Sequence, residues 1–270
     1  MNLRRLIIFI LFMFVFFGSC ETQAGEIKKG NSGLIFNAEY KKAWVKDMYT
    51  QIPRGGNPNA TSNKRPDKND IGLDSINIPA FFLSYRLNAH ELKLGSTFIY
   101  IEESFTLDKP LRFHGQDYFP GIEYKFKQDL NFYSLNYSYD LTLDNFKFKP
   151  AIEIGLFDFM VNIEDEFGKD NRRNFSREAF RAGGNIMWDL TDSFYLSGQA
   201  MYAIPIPNSF YYSDLSLKGG FRFSVFHIPE ISIEAGLQYL YIEFKDNQDK
   251  PNNILLDLFP ALSVGVCLKF

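Results

Sequence analysis

The stretch that most restricts the fold is the last one, ILLDLFPALSVGVCLKF, from Ile254 to Phe270. Ile254, Leu256, Leu258, Pro260, Leu262, Val264, Val266, Leu268 and Phe270 recur at every second position. Between them stand smaller or more polar residues: Asp257, Ala261, Ser263, Gly265, Cys267 and Lys269. A period of two is the signature of a β-strand with two unlike faces. The run exceeds an average soluble strand and suits one that crosses a bilayer. On this pattern the larger apolar set faces outward, and Asp257 faces inward with the polar set.

The opposite end reads as a targeting segment. Arg4 and Arg5 precede an unbroken apolar run, Leu6 to Phe17, that is short for a spanning helix and right for a signal peptide. Residues 1–24 are therefore expected to be a cleaved signal, ending at Thr22-Gln23-Ala24, with a single barrel domain over 25–270. Phe17-Gly18-Ser19-Cys20 approximates a lipoprotein box, which makes Cys20 a candidate lipidation site. Phe in place of the usual Leu at the first box position favours ordinary cleavage.

Aromatic residues make up 17% of the chain, with 29 Phe and 15 Tyr. Soluble domains seldom need so many, whereas a membrane barrel needs an apolar outer band and two aromatic girdles. Beyond the signal no apolar run approaches spanning-helix length, which argues against a helical membrane protein. A spanning sheet must close, because an edge exposed to lipid leaves backbone groups unpaired. The fold expected is thus all-β: a transmembrane, antiparallel, up-and-down barrel of about ten strands, with eight or twelve as alternatives. A formal net charge of −3 gives no reason to expect a nucleic-acid partner.

The alternation predicts strands near 33–49, 77–87, 91–113, 118–141, 146–163, 177–190, 194–204, 212–225, 231–244 and 254–270. Two of them change parity. In the fourth, Ile122, Tyr124 and Phe126 lie out of step with Tyr133, Leu135, Tyr137 and Tyr139, which a β-bulge near Gln128 or Asp129 would reconcile. The fifth changes parity near Gly155. The third and fourth strands form a hairpin longer than a bilayer requires, expected to project outward with His114 at its tip. Longer polar connections, 50–75, 164–176, 205–211 and 245–253, alternate with short turns. That asymmetry is the one shown by outer-membrane barrels, with short periplasmic turns and longer external loops.

A terminal strand closing on an aromatic resembles the last strand of bacterial outer-membrane β-barrels, in which it is the signal read by the assembly machinery. That resemblance implies an assembly-signal role for Phe270, the barrel-assembly machinery and outer-membrane lipid as partners, and a bacterial outer-membrane location. DIGLDSINIPAFFLSYRL and LNFYSLNYSYDL, with the long hairpin between them, are similar to an uncharacterised family of small Gram-negative outer-membrane barrels. The resemblance covers Asp70 to Leu141, and the C-terminal part agrees in style. The family brings no established activity.

The histidines are His90, His114 and His227. The topology puts His90 and His227 in periplasmic turns and His114 at the external tip, away from inward carboxylates. No catalytic, metal-ligating or cofactor-binding constellation is expected. The strand count resembles omptin-type outer-membrane proteases, but their paired aspartates and Asp-His dyad have no evident match. The cluster Asp67, Asp70 and Asp74 fits no calcium-loop spacing and reads as solvated loop charge. The inward charges expected are Arg86, Glu153, Arg181, Asp214, Lys218, Arg222, Glu234 and Asp257, with Glu234 the expected partner of Arg222. They would form a lumenal network filling a narrow interior, since buried charges are costly unless paired. The function expected is that of an integral outer-membrane barrel with a plugged lumen and a structural or surface-interaction role, its loop ligand unspecified. A small-molecule porin and an outer-membrane enzyme of protease or lipid-modifying type are the alternatives.

Overall fold

The structure is a computed structural model and describes residues 32–168, 170–225 and 228–270. The signal segment, Cys20 and His227 lie outside the described residues. The strands in chain order are β1 (Gly33–Gln51), β2 (Ser75–Leu87), β3 (His90–Thr97), β4 (Tyr100–Thr106), β5 (Leu111–Phe113), β6 (Gln116–Tyr118), β7 (Glu123–Tyr139), β8 (Leu141–Leu143), β9 (Phe146–Asp165), β10 (Asp170–Asp189), β11 (Phe194–Ala203), β12 (Tyr211–Val225), β13 (Ile228–Lys245) and β14 (Asn253–Lys269). One helical turn, α1 (Lys68–Ile71), lies in the first long loop.

The wall strands pair antiparallel in sequence: β1 with β2, β2 with β3, β3 and β4 with β7, β7 with β9, and β9 through β13 each with the next. β14 pairs back to β1, so the sheet closes into a barrel of ten strands, with β5–β6 a separate hairpin and β8 a short addition on β9. β3 and β4 are one wall strand interrupted at Phe98–Ile99, since both pair with β7 in one continuous register. The seam is completed by Phe270, whose amide donates to the Leu34 carbonyl at 2.8 Å while its carbonyl accepts from the Leu34 amide at 3.2 Å.

The outer surface carries an apolar belt. On β9 the outward positions run Phe146, Phe148, Ile152, Ile154, Leu156, and then turn polar at Asp158. Those steps span about 33 Å along the strand, or about 25 Å along the axis of a tilted barrel, the height of a membrane band. Aromatics gather at its two edges. Phe146 stacks on Trp188, and Phe194 packs at a tilt against Phe221, near the termini. Phe98 packs with Tyr100 and Tyr133, and Tyr239 with Phe259, at the other edge. A closed antiparallel barrel with such a belt is a membrane-spanning barrel of the bacterial outer-membrane type.

The interior changes character along its length. Beside the belt the inward side chains are polar or charged. Beyond it they are apolar: Phe157, Phe159, Val161 and Ile163 on β9 are all fully buried, as are Leu240, Ile242 and Phe244 on β13. The loops add Ile52, Ile71 and Leu73 from the first long connection and Phe210 from the one before β12.

This change of lining replaces the two expected slips. Register along β7 and β9 is continuous from Tyr124↔Asp165 to Ser138↔Ala151, with no bulge near Gln128 or Gly155. Parity is kept, and the apolar residues pass from the lipid face to the core face as the strands leave the membrane. A true irregularity occurs in β14 instead. Its pairing with β13 jumps from Gln238↔Ala261 to Leu240↔Leu258, so Phe259 and Pro260 form a bulge. Ile254, Leu256 and Leu258 therefore face the core, while Leu262, Val264 and Val266 face lipid. The unbroken alternation in the sequence hides a slip and an inversion of polarity that cancel.

Two connections also differ from expectation. The 164–176 segment is mostly strand, because β9 and β10 run on to a tight turn after Asp165. The β3–β7 hairpin leaves the wall but does not project freely. Its tip, β5–β6, folds inward with Leu111, Phe113 and Tyr118 buried. It is stitched to the first long loop by the Ser62 amide donating to Arg112 (2.7 Å) and the His114 amide donating to Ile52 (3.0 Å).

Candidate functional site

The polar half of the lumen is a cavity of about 290 Å³. Seven of the eight charges expected inside line it: Arg86, Glu153, Arg181, Asp214, Lys218, Arg222 and Glu234. They divide into clusters, each with cations facing carboxylates. At the inner end the Arg181 guanidinium is ion-paired with both Glu153 and Asp214, its Nε 2.7 Å from Glu153. Gln199 donates to the other Asp214 oxygen at 2.8 Å. Arg181 also lies 4.0 Å from the Tyr212 ring centre and 5.2 Å from that of Phe132. It therefore stands on the boundary with the apolar core, where aromatic rings run across the lumen. Phe132 contacts Phe157 at 4.6 Å, Phe157 contacts Phe210 at 4.5 Å, and Phe210 contacts Phe244 at 4.8 Å between ring centres.

A second cluster joins four strands. Lys218 reaches Glu39 at 2.6 Å and Glu234 at 3.8 Å, Lys41 reaches Glu39 at 3.2 Å, and Tyr195 donates to Glu234 at 2.6 Å. Tyr195 lies flat over Gly220, where any Cβ would strike its ring. Nearer the termini Asp189 accepts from Arg222 at 2.6 Å and from Lys147 at 2.9 Å. Arg222 is therefore paired with Asp189 and stacked on Tyr195 at 4.1 Å, and the expected Glu234 partner belongs to Lys218 and Tyr195. Arg86 and Lys149 share Glu91 at 2.9 and 3.0 Å.

Asp257 corrects the expected set. The Phe259–Pro260 bulge turns it to the outer face, where Lys46 pairs with it at 3.1 Å. Sequence reasoning also passed over inward charges. Glu39 and Lys41 flank outward Tyr40, and Lys147 and Lys149 alternate with outward Phe146 and Phe148. The parity rule that placed Arg181 would have found all four.

Exposure rises toward the end that carries the termini. The Arg181 side chain is 6% exposed and that of Lys147 31%. Water thus reaches this cavity from the terminal end.

At the opposite end the loops form a second concavity. Arg54, His114, Gly115, Gln116, Asp117, Phe119, Asn171 and Arg172 surround about 660 Å³. Burial, together with Arg173 and Arg54 nearby, holds the His114 imidazole below its usual pKa. Burial pushes the Tyr118 hydroxyl up to about 12. Asp67 and Asp70 do not act as a cation cluster. They form a reciprocal cap on α1, and Asp70 accepts from Arg65 Nε at 2.7 Å. His90 lies on the outer surface with Nδ1 2.7 Å from the Tyr137 hydroxyl. Among the described residues no three His, Cys, Asp or Glu side chains converge as a metal site requires.

No family model matches the chain, and no curated protein matches it. Among solved structures it is similar to Neisserial surface protein A, with 13% identity over 88% of this chain and 97% of that one, at a TM-score of 0.34. It is similar to the attachment invasion locus protein Ail of Yersinia pestis, with 9% identity over 90% of this chain and 100% of that one, at 0.34. The outer-membrane protease OmpT of Escherichia coli gives 10% identity, 93% and 100% coverage and the same TM-score of 0.34. Overlaps this loose carry no weight for activity, ligand or partner.

Proposed function

We propose that this chain is a closed, non-conducting outer-membrane barrel with a structural or surface-interaction role carried by its external end. The observation that carries the reading is the apolar core in the outer half of the lumen, crossed by Phe132, Phe157, Phe210 and Phe244. A porin lumen is polar throughout and lets water connect both sides. Here the polar half holds paired charges and opens toward the termini, and the apolar half is filled by aromatic rings, with its buried Thr50 donating to Gln128 at 2.6 Å. The inward-folded β5–β6 hairpin and the first long loop add a second layer over the same end. Insertion is assigned to the barrel-assembly machinery through β14 and Phe270, which sit at the closing seam, after removal of a signal over residues 1–24. The test is planar-bilayer recording on the refolded full-length barrel. Silent membranes containing folded protein are expected, and steady single-channel steps overturn the reading.

A further inference from the structure

We propose that the external concavity between the first long loop, the β5–β6 hairpin and the start of β10 is a binding cleft for an acidic saccharide. The proposal deepens the surface-interaction reading and rests on its orientation. Arg54, Arg172 and Arg173 come to the cleft and its rim from two separate segments. All three are exposed, and none is ion-paired among the described residues. The carboxylate in the wall, Asp117, is held by Arg112 at 3.2 Å. Arg172 also acts on Asp129, and Asp165 and Asp170 stand near Tyr118, so the unpaired positive charge of the cleft is that of Arg54 and Arg173, which both bear on His114.

The walls are fixed relative to one another. Asn171 donates its side-chain amide to the Phe113 carbonyl at 2.9 Å, tying β10 to the hairpin. The Arg54 stem lies across Gly115, where φ is +81° and an added Cβ would stand 3.2 Å from Arg54 Cδ. His114 stands in the same wall, its imidazole against the Pro53 backbone. Phe119, 58% exposed, sets an aromatic face beside the arginines. Guanidinium forks match sulfate, phosphate or carboxylate substituents, and an aromatic face suits the C–H face of a pyranose. β10 reaches the cleft at Arg172, which pairs with Asn162, four residues or roughly 13 Å along the strands beyond Asp158, where the apolar belt ends.

The test is titration of the refolded full-length barrel in detergent micelles with sulfated maltohexaose and with its unsulfated parent. The sulfated sugar is expected to bind, more weakly as salt rises, and the parent is not. Arg54→Ala and Arg173→Ala should each lower affinity roughly tenfold, the worth of a charge-assisted hydrogen bond. Phe119→Ser should lower it as well, and Lys245→Ala, an exposed cation elsewhere, should not. Heat-modifiability confirms that each variant is folded. Equal binding of the parent sugar, or unchanged affinity in the Arg54→Ala/Arg173→Ala double variant, overturns the proposal. A Phe119→Ser variant that binds as well as wild type overturns its saccharide part. Repeating the titration in nanodiscs with lipopolysaccharide separates sources. Competition assigns the cleft to the membrane's own glycan, and unchanged affinity assigns it to one from outside. Conductance of the same preparation reads the closed-lumen proposal independently, so either can fail without the other.

Discussion

Arg181 shows how much a single residue can carry in a narrow lumen. Its guanidinium sits against an aromatic layer and is balanced by Glu153 and Asp214. Arg181→Met leaves two buried carboxylates facing each other and should cost about 3–5 kcal/mol. The triple change Arg181→Met/Glu153→Gln/Asp214→Asn should regain most of that. Urea midpoints in lipid vesicles distinguish the two, and a single variant as stable as wild type would mean that water shields the site. Neighbours on β12 should behave oppositely. Phe221 faces lipid, so Phe221→Arg should cost about 2–4 kcal/mol. Arg222 pairs at the partly exposed rim with Asp189, which Lys147 also holds, so Arg222→Gln should cost about 1 kcal/mol or less. At the outer end, His114 is kept neutral by burial and by Arg173 and Arg54, with Asp117 the nearby acid engaged by Arg112. Its folded pKa lies below the ordinary 6.5. As pH falls through that value the unfolded chain takes up a proton before the folded one, and stability is lost down to the folded pKa. Protease cleavage within 107–121 should therefore quicken at about pH 5 relative to neutral pH, and His114→Gln should abolish the difference.

Within single strands, parity was legible and polarity was not a safe guide to it. The outward sets of β2, β10, β11 and β12 follow directly from alternation, because both faces keep one character over the membrane-spanning length. β7 and β9 break that condition. Phe126 and Phe157 are apolar because they face a core, and Tyr133 and Leu156 are apolar because they face lipid. A reading that equates apolar with outward must invent a slip to join them. β14 fails in the reverse sense, since a real bulge at Phe259–Pro260 coincides with the same change of lining. One cause explains both misplacements: the inward orientation given to Asp257 and the outward one given to Ile254, Leu256 and Leu258. Single cysteines at 256, 258, 262 and 264 test it. Fluorophores at 262 and 264 should be quenched by a lipid-soluble quencher, and those at 256 and 258 should be protected. Equal quenching at all four would restore an unbroken strand.

Taken whole, the molecule is two structures stacked on one set of strands. Beside the bilayer it is apolar outside and polar within, and beyond the bilayer it is packed like a soluble β-protein around a hydrophobic core. Composition forecast the first half well, since a lipid belt and two girdles account for many of the aromatics. It could not forecast the second, because core aromatics and lipid-facing aromatics are the same residue types. The architecture also locates the proposed closure. The β5–β6 hairpin contributes Leu111, Phe113 and Tyr118 to the core, whereas the aromatic layer is carried by the wall strands and the short connection before β12. Replacing residues 108–121 with a short turn should therefore lower stability by several kcal/mol, at roughly 1.5–3 kcal/mol per large apolar side chain lost from the core. It should open no conductance. Phe157→Ser/Phe210→Ser/Phe244→Ser, with the hairpin intact, should hydrate the layer and give measurable steps in a planar bilayer. If the hairpin deletion conducts and the serine variant stays silent, the closure lies in the external cap and the aromatic layer is packing alone.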